Sequence, residues 1–292
     1  MKLSIGCSGW SYTDWVGSFY PRELAQKHGE WLSYYSLFFK TAEVNTTFYS
    51  VPDKRVVDSW ISRVEDREFE FSLKLPRTIT HEKLISGDWN GISRDYNVFR
   101  ENCVRPLEDA GRLGSVLVQL PHDARYPDAL KSLERLLMVI SSTPISVEFR
   151  HTSFVDEKTK EIQGDVLDML ELNNAAAVFV DSPAFPITRA ITSSEAYIRF
   201  HGRNRDVWFT GVREDDERIN RYDYLYSRRQ LEEWVPRIRE IASSTAHTRI
   251  YFNNHGRAKA ARNALELMDM LGIAHEPKEI RISEQLRLER YN

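Results

Sequence analysis

Val147-Glu148-Phe149-Arg150 reads apolar, acidic, apolar, basic. A strand sends successive side chains to opposite faces, so this stretch has one greasy face and one charged face. The same alternation recurs in Ala42-Glu43-Val44-Asn45, Phe71-Ser72-Leu73-Lys74 and Val116-Leu117-Val118-Gln119. It returns in Val178-Phe179-Val180-Asp181, Ile198-Arg199-Phe200-His201 and Ile250-Tyr251-Phe252-Asn253. With a first strand over Leu3 to Cys7, eight strands are predicted. If they share one sheet, their polar ends converge.

Helical patterns lie between the strands. They cover Glu23 to Phe39 after Pro21, Val56 to Val64 behind a candidate N-cap at Asp53, and Tyr96 to Ala110. Pro127 to Ile140 and Asp165 to Asn173 follow. Ser227-Arg228-Arg229-Gln230 has capping-box spacing and opens a helix to Ile241, and Ala258 to Leu271 ends at Gly272. The crossover from Ser182 to Ser194 shows no helix. Strands alternating with helices predict a parallel α/β sheet. An open doubly wound sheet would bury both faces and give near-continuous apolar runs. One apolar face, and one that turns polar at the C-terminal end, predicts a closed (β/α)8 TIM barrel with its site at that mouth. No linker or composition shift divides the chain, so residues 1–292 are expected to form a single domain.

A net charge of −3 argues against a protein that coats nucleic acid by bulk positive charge. Two cysteines without pairing or metal spacing, Cys7 and Cys103, suit a reducing cytoplasm. No apolar run reaches the roughly 18 residues of a membrane span, so no membrane partner is expected; the sequence sets no oligomeric state. Two long stretches, Ser8 to Tyr20 with Trp10 and Tyr12, and Gly202 to Tyr226 with Arg203, Arg205, Trp208 and Phe209, are expected over the mouth, as lids or as simple plugs.

The same strand ends carry a resemblance. Gly9-Trp10-Ser11-Tyr12, Glu43-Val44-Asn45-Thr46-Thr47-Phe48-Tyr49, Lys74-Leu75-Pro76 and Thr80-His81 resemble successive blocks of the YecE-like family, the domain of unknown function numbered 72. Gln119-Leu120-Pro121, Glu148-Phe149-Arg150-His151, Asp181-Ser182-Pro183, Arg199-Phe200-His201-Gly202-Arg203 and Phe252-Asn253-Asn254 continue it in order. Phe154 departs from that pattern, where a tryptophan is usual, and so does His122-Asp123-Ala124-Arg125-Tyr126. The resemblance implies a (β/α)8 barrel similar to endonuclease-IV-like and xylose-isomerase-like folds. It implies no reaction, and fold alone transfers none.

The predicted mouth gathers three acids (Glu43, Glu148, Asp181), three cations (Lys74, Arg150, Arg199) and His201. Desolvated charges must find partners, so this is a ligand or catalytic site or else a structural salt-bridge network. Glu43 and Glu148 are the candidate acid–base pair, His201 a proton shuttle and Asp181 a further catalytic acid. Lys74, Arg150 and Arg199 are candidate grips on a phosphate or carboxylate, with Trp10, Tyr12, Asn45, Gln119 and Asn253 lining the ligand. Gly202 and Gly256, just past the last two strands, could add backbone donors for an anion. No zinc-type spacing or dinucleotide fingerprint occurs, and three cations would repel a dication, so neither metal nor cofactor is expected. The leading expectation is an acid–base enzyme acting on a small anionic metabolite. Nucleic-acid binding through Arg199, Arg203 and Arg205 is less favoured, because Glu214-Asp215-Asp216-Glu217 shares their loop.

Overall fold

The computed structural model describes residues 2–205 and 222–281. Eight parallel strands close into a barrel in sequence order. They are β1 (Lys2–Ser8), β2 (Thr41–Val44), β3 (Glu70–Lys74), β4 (Leu113–Gln119), β5 (Ile145–Glu148), β6 (Ala176–Asp181), β7 (Glu195–Phe200) and β8 (His247–Phe252). Closure is made by β1 on β8, in register from Lys2 opposite His247 to Cys7 opposite Phe252.

The alternation sorts each strand into two environments. Val116, Val118, Ile198, Phe200, Ile250 and Phe252 join the large core between sheet and helices. There Phe200 stacks on Phe252 with centroids 4.6 Å apart, and Trp234 meets Phe200 edge-on at 5.0 Å. The opposite side chains fill the barrel in layers. At the N-terminal end Arg249 reaches Glu70 (2.9 Å) and Glu195 (2.6 Å). The waist is apolar, with Leu117, Val178, Val180, Tyr197 and Tyr251. Here the Tyr251 hydroxyl joins Thr41 Oγ1 at 2.6 Å and Ser72 Oγ at 2.9 Å. The charged layer that concerns function lies above this waist.

Local signals set several helices where expected. Asp53 caps Lys54–Ser62 by accepting from the Arg55 amide, and Ser227 with Gln230 forms both halves of a capping box. Gly272 takes φ 73° and stops Lys259–Leu271. Residues 182–194 carry no helix. The expected helix from Glu23 to Phe39 is instead two short turns, Arg22–Leu24 and His28–Glu30, and the brief helix Trp31–Tyr35. Buried Trp31 donates to the Leu24 carbonyl at 2.8 Å, and this tertiary anchor folds the chain back at weak helix formers His28 and Gly29. The helix expected to start at Tyr96 starts at Trp89, where Asp88 caps the Gly91 amide. It runs on through a wide turn, Arg100–Val104, that absorbs the missing amide of Pro106.

Candidate functional site

At the C-terminal end of the barrel, Arg199 bridges two acids. One terminal nitrogen lies 2.6 Å from Glu43 Oε1 and the other 2.5 Å from Glu148 Oε2, and all three side chains are buried. β7 delivers Arg199, β2 Glu43 and β5 Glu148, so this contact exists only once the barrel closes. The second Glu43 oxygen accepts from the Tyr197 hydroxyl at 2.7 Å. Glu148 Oε1 accepts from Gln119 (2.8 Å), Arg150 (3.1 Å) and His201 (3.2 Å). Burial alone would raise the Glu148 carboxyl; Arg199, His201 and Arg150 outweigh it and hold it well below the usual carboxylate range. Glu148 is therefore a fixed carboxylate with no proton to give.

His201 is fixed too. Asn45 Nδ2 points at Asn253 Oδ1 (3.4 Å), and Asn253 Nδ2 donates to His201 Nδ1 (3.0 Å). The imidazole proton then sits on Nε2, facing Glu148. Burial pulls the His201 pKa down to about 4 against the pull of Glu148. The ring is neutral and orients Glu148; the proton-shuttle role expected of it needs a titration near neutral pH that it does not have.

Lys74 stands apart from these pairs. It ends β3 nearly buried, 9% exposed, with Nζ 3.8 Å from the Phe48 ring centroid. Among the described residues Nζ has neither a hydrogen bond nor an ion pair. Burial first, then repulsion from Arg199 and Arg150, pulls its pKa down to about 7. Beyond Phe48 lies His81, edge-on at 5.0 Å, its Nδ1 2.8 Å from Thr80 Oγ1 and its pKa lowered by burial and by Lys74 to about 4. Four buried polar atoms at this end of the barrel have no hydrogen-bond partner among the described residues: Ser8 Oγ, Asn45 Oδ1, Arg199 Nε and Asn254 Oδ1.

Several expected members lie elsewhere. Asp181 is paired in register with Phe200 and shares its outward face, while Val178 and Val180 take the interior. Its carboxylate is held by Trp234 Nε1 (2.6 Å), Tyr226 Oη (2.8 Å) and Arg203 (2.7 Å), a lock between sheet and helices. Trp10 packs edge-on against Trp60 (5.7 Å) and Phe71 (5.9 Å), on the side of β3 opposite Lys74. Tyr12 stays by the mouth, donating to the carbonyl of Ser8, which is in register with Glu43, and stacking on His255 at 4.6 Å. Arg199 spends its terminal nitrogens on Glu43 and Glu148, so it supports the site instead of gripping an anion. The Gly202 amide is already taken, donating to Tyr226 Oη at 2.8 Å, and a side chain at Gly256 would meet the Asp223 carboxylate. Trp208, Phe209 and the acidic run at 214–217 lie outside the described residues.

The sequence reading missed Tyr197, Phe48 and His81. Tyr197 had a signal, since it shares the parity of Arg199 on one strand. Phe48 lies on the short helix Thr46–Tyr49 and His81 on the helical turn Thr78–Lys83, where strand alternation does not apply. Among the described residues no three His, Cys, Asp or Glu side chains come together as a metal would need, and no helix is long and apolar enough to cross a membrane.

Fold and charged layer together define an α/β barrel of the TIM type with a buried acid–arginine–acid bridge under its C-terminal mouth. The chain belongs to the family described as protein of unknown function DUF72, matched over residues 4–286. UPF0759 protein YunF of Bacillus subtilis is 24% identical over 281 residues, covering 94% of this chain and 96% of that protein. UPF0759 protein YecE of Escherichia coli K12 is 24% identical over 255 residues, 77% of this chain and 86% of that protein. A crystal structure of a DUF72 family protein from Thermotoga maritima superposes with a TM-score of 0.79 at 31% identity, covering 93% of this chain and all of that one.

Proposed function

We propose that the barrel mouth binds a small metabolite bearing a carboxylate or phosphate and acts on it by metal-independent acid–base chemistry, with Lys74 as the group that moves the proton. The observation that carries this reading is an amine, nearly buried, without an acid partner among the described residues, beside two carboxylates already committed to Arg199. With Lys74 protonated, Lys74, Arg150 and Arg199 outnumber Glu43 and Glu148 at this end of the barrel, so an anion improves the local charge balance. A pKa near 7 lets one amine both take and give a proton at neutral pH.

Glu43 and Glu148 take new roles in this account. They anchor Arg199, and the fixed bridge sets the field around Lys74. The metal-independent part of the reading rests on those same carboxylates, whose oxygens already face protein donors. Buried, unpaired Cys7 and Cys103 suit work in a reducing cytoplasm. Nucleic acid is the weaker reading, because Arg203 is tied to Asp181 and Glu233. A thermal-shift screen of small carboxylates and phosphates tests the proposal. Stabilisation of the wild type by a subset, lost in Lys74→Met, is expected; equal shifts in both proteins would refute it.

A further inference from the structure

We infer that Lys74 is a nucleophile for carbonyl carbon, and that the metabolite accepted at the mouth is a small aldehyde or ketone carrying a carboxylate. This rests on the anion-binding reading of the same site and adds the substrate class.

Geometry favours capture over simple charge pairing. A lysine that only gripped a carboxylate would work best fully protonated, kept so by a neighbouring acid. Among the described residues Lys74 Nζ has no acid of its own, and its near contact is the Phe48 ring face at 3.8 Å. Both acids that could hold its proton lie against Arg199 at 2.6 Å or less. Desolvation of this kind frees an amine lone pair, the usual way proteins make a lysine nucleophilic. The neighbouring His81 is also neutral, so the immediate surroundings of the amine offer a ring without charge. Arg150, whose side chain is 9% exposed, supplies the standing positive charge that a substrate carboxylate would face.

The step balances without any further reagent. The amine lone pair attacks the carbonyl carbon and forms a C–N bond, while the nitrogen loses a proton and the carbonyl oxygen gains one. The resulting hydroxyl takes one more proton from solvent and leaves as water, giving a cationic C=N bond. The sum is amine, carbonyl and one proton in, iminium and water out. That iminium withdraws electrons from the adjacent carbon, which is what proton transfer next to a carbonyl requires.

The test treats the full chain with glyoxylate or pyruvate near neutral pH, reduces with cyanoborohydride and maps the adducts by peptide mass spectrometry. An adduct at Lys74, forming well ahead of any other lysine and absent from Lys74→Arg, is expected. Glycolate and lactate, which lack the carbonyl, are titrated calorimetrically in parallel. Binding of glycolate or lactate with no Lys74 adduct from either oxo acid overturns carbonyl capture and leaves the anion site standing. No adduct and no binding overturns both. Adducts spread evenly over exposed lysines also overturn the inference. The wild-type map decides each case, so a poorly folded variant cannot obscure it.

Discussion

A lysine that is 9% exposed and faces two arginines holds its proton loosely. Lys74 binds that proton less well in the folded chain, about 7 against an ordinary 10.5. Between those values the unfolded state carries more protons, so this group's contribution to stability is full above 10.5 and is lost as pH falls toward 7. Titration of isotope-labelled lysines by NMR should show one amine with a midpoint near 7; a set of lysines all near 10.5 would contradict the assignment. His201 follows the same sign, its contribution full above 6.5 and lost as pH falls through about 4. His201→Asn should therefore weaken the acid sensitivity of unfolding in that window and leave the slope against pH in the neutral range unchanged; denaturant curves across pH measure it.

At the scale of elements, β2, β3, β4, β5 and β7 bring Glu43, Lys74, Gln119, Glu148 and Arg199 to one layer, and the members depend on one another. Glu148 accepts from Gln119, Arg150, Arg199 and His201. Glu148→Gln removes the charge that answers buried Arg199, and the barrel should lose about 3–5 kcal/mol in urea unfolding, the usual result of breaking a buried pair. A loss under about 1 kcal/mol, the scale of an exposed pair, would mean the bridge is not as buried as described. The helix cap at Ser227 is a milder device, and Ser227→Ala should cost about 1 kcal/mol in the same measurement.

The strands and most of this layer were legible from alternation alone, because Glu43, Glu148, Arg199 and His201 each sit opposite an apolar neighbour. Asp181 was not, because β6 is buried and apolar on both faces and its parity is fixed only by pairing with β7. Nor could sequence tell that Arg199 is consumed and Lys74 is not, since Glu43 and Glu148 meet Arg199 only through closure. Trp10 lies on an irregular segment, and its packing against Trp60 answers to no period.

Over the whole molecule, two arginines close the barrel interior from either end. The lower one, Arg249, is answered by Glu70 and Glu195, at the face where such barrels keep their stability. The upper one, Arg199, is answered by Glu43 and Glu148 in the same way, yet Lys74 is placed beside it with no acid of its own among the described residues. A barrel built only for stability gains nothing from that amine, since an unpaired buried charge costs several kcal/mol. The most direct test of the account compares urea unfolding of the wild type and Lys74→Met at neutral pH. The account predicts that the variant is more stable, by on the order of a few kcal/mol, because a charge kept for a ligand has been replaced by an apolar chain. A variant less stable than the wild type would contradict it, and Lys74 would then belong to a network that holds the barrel together.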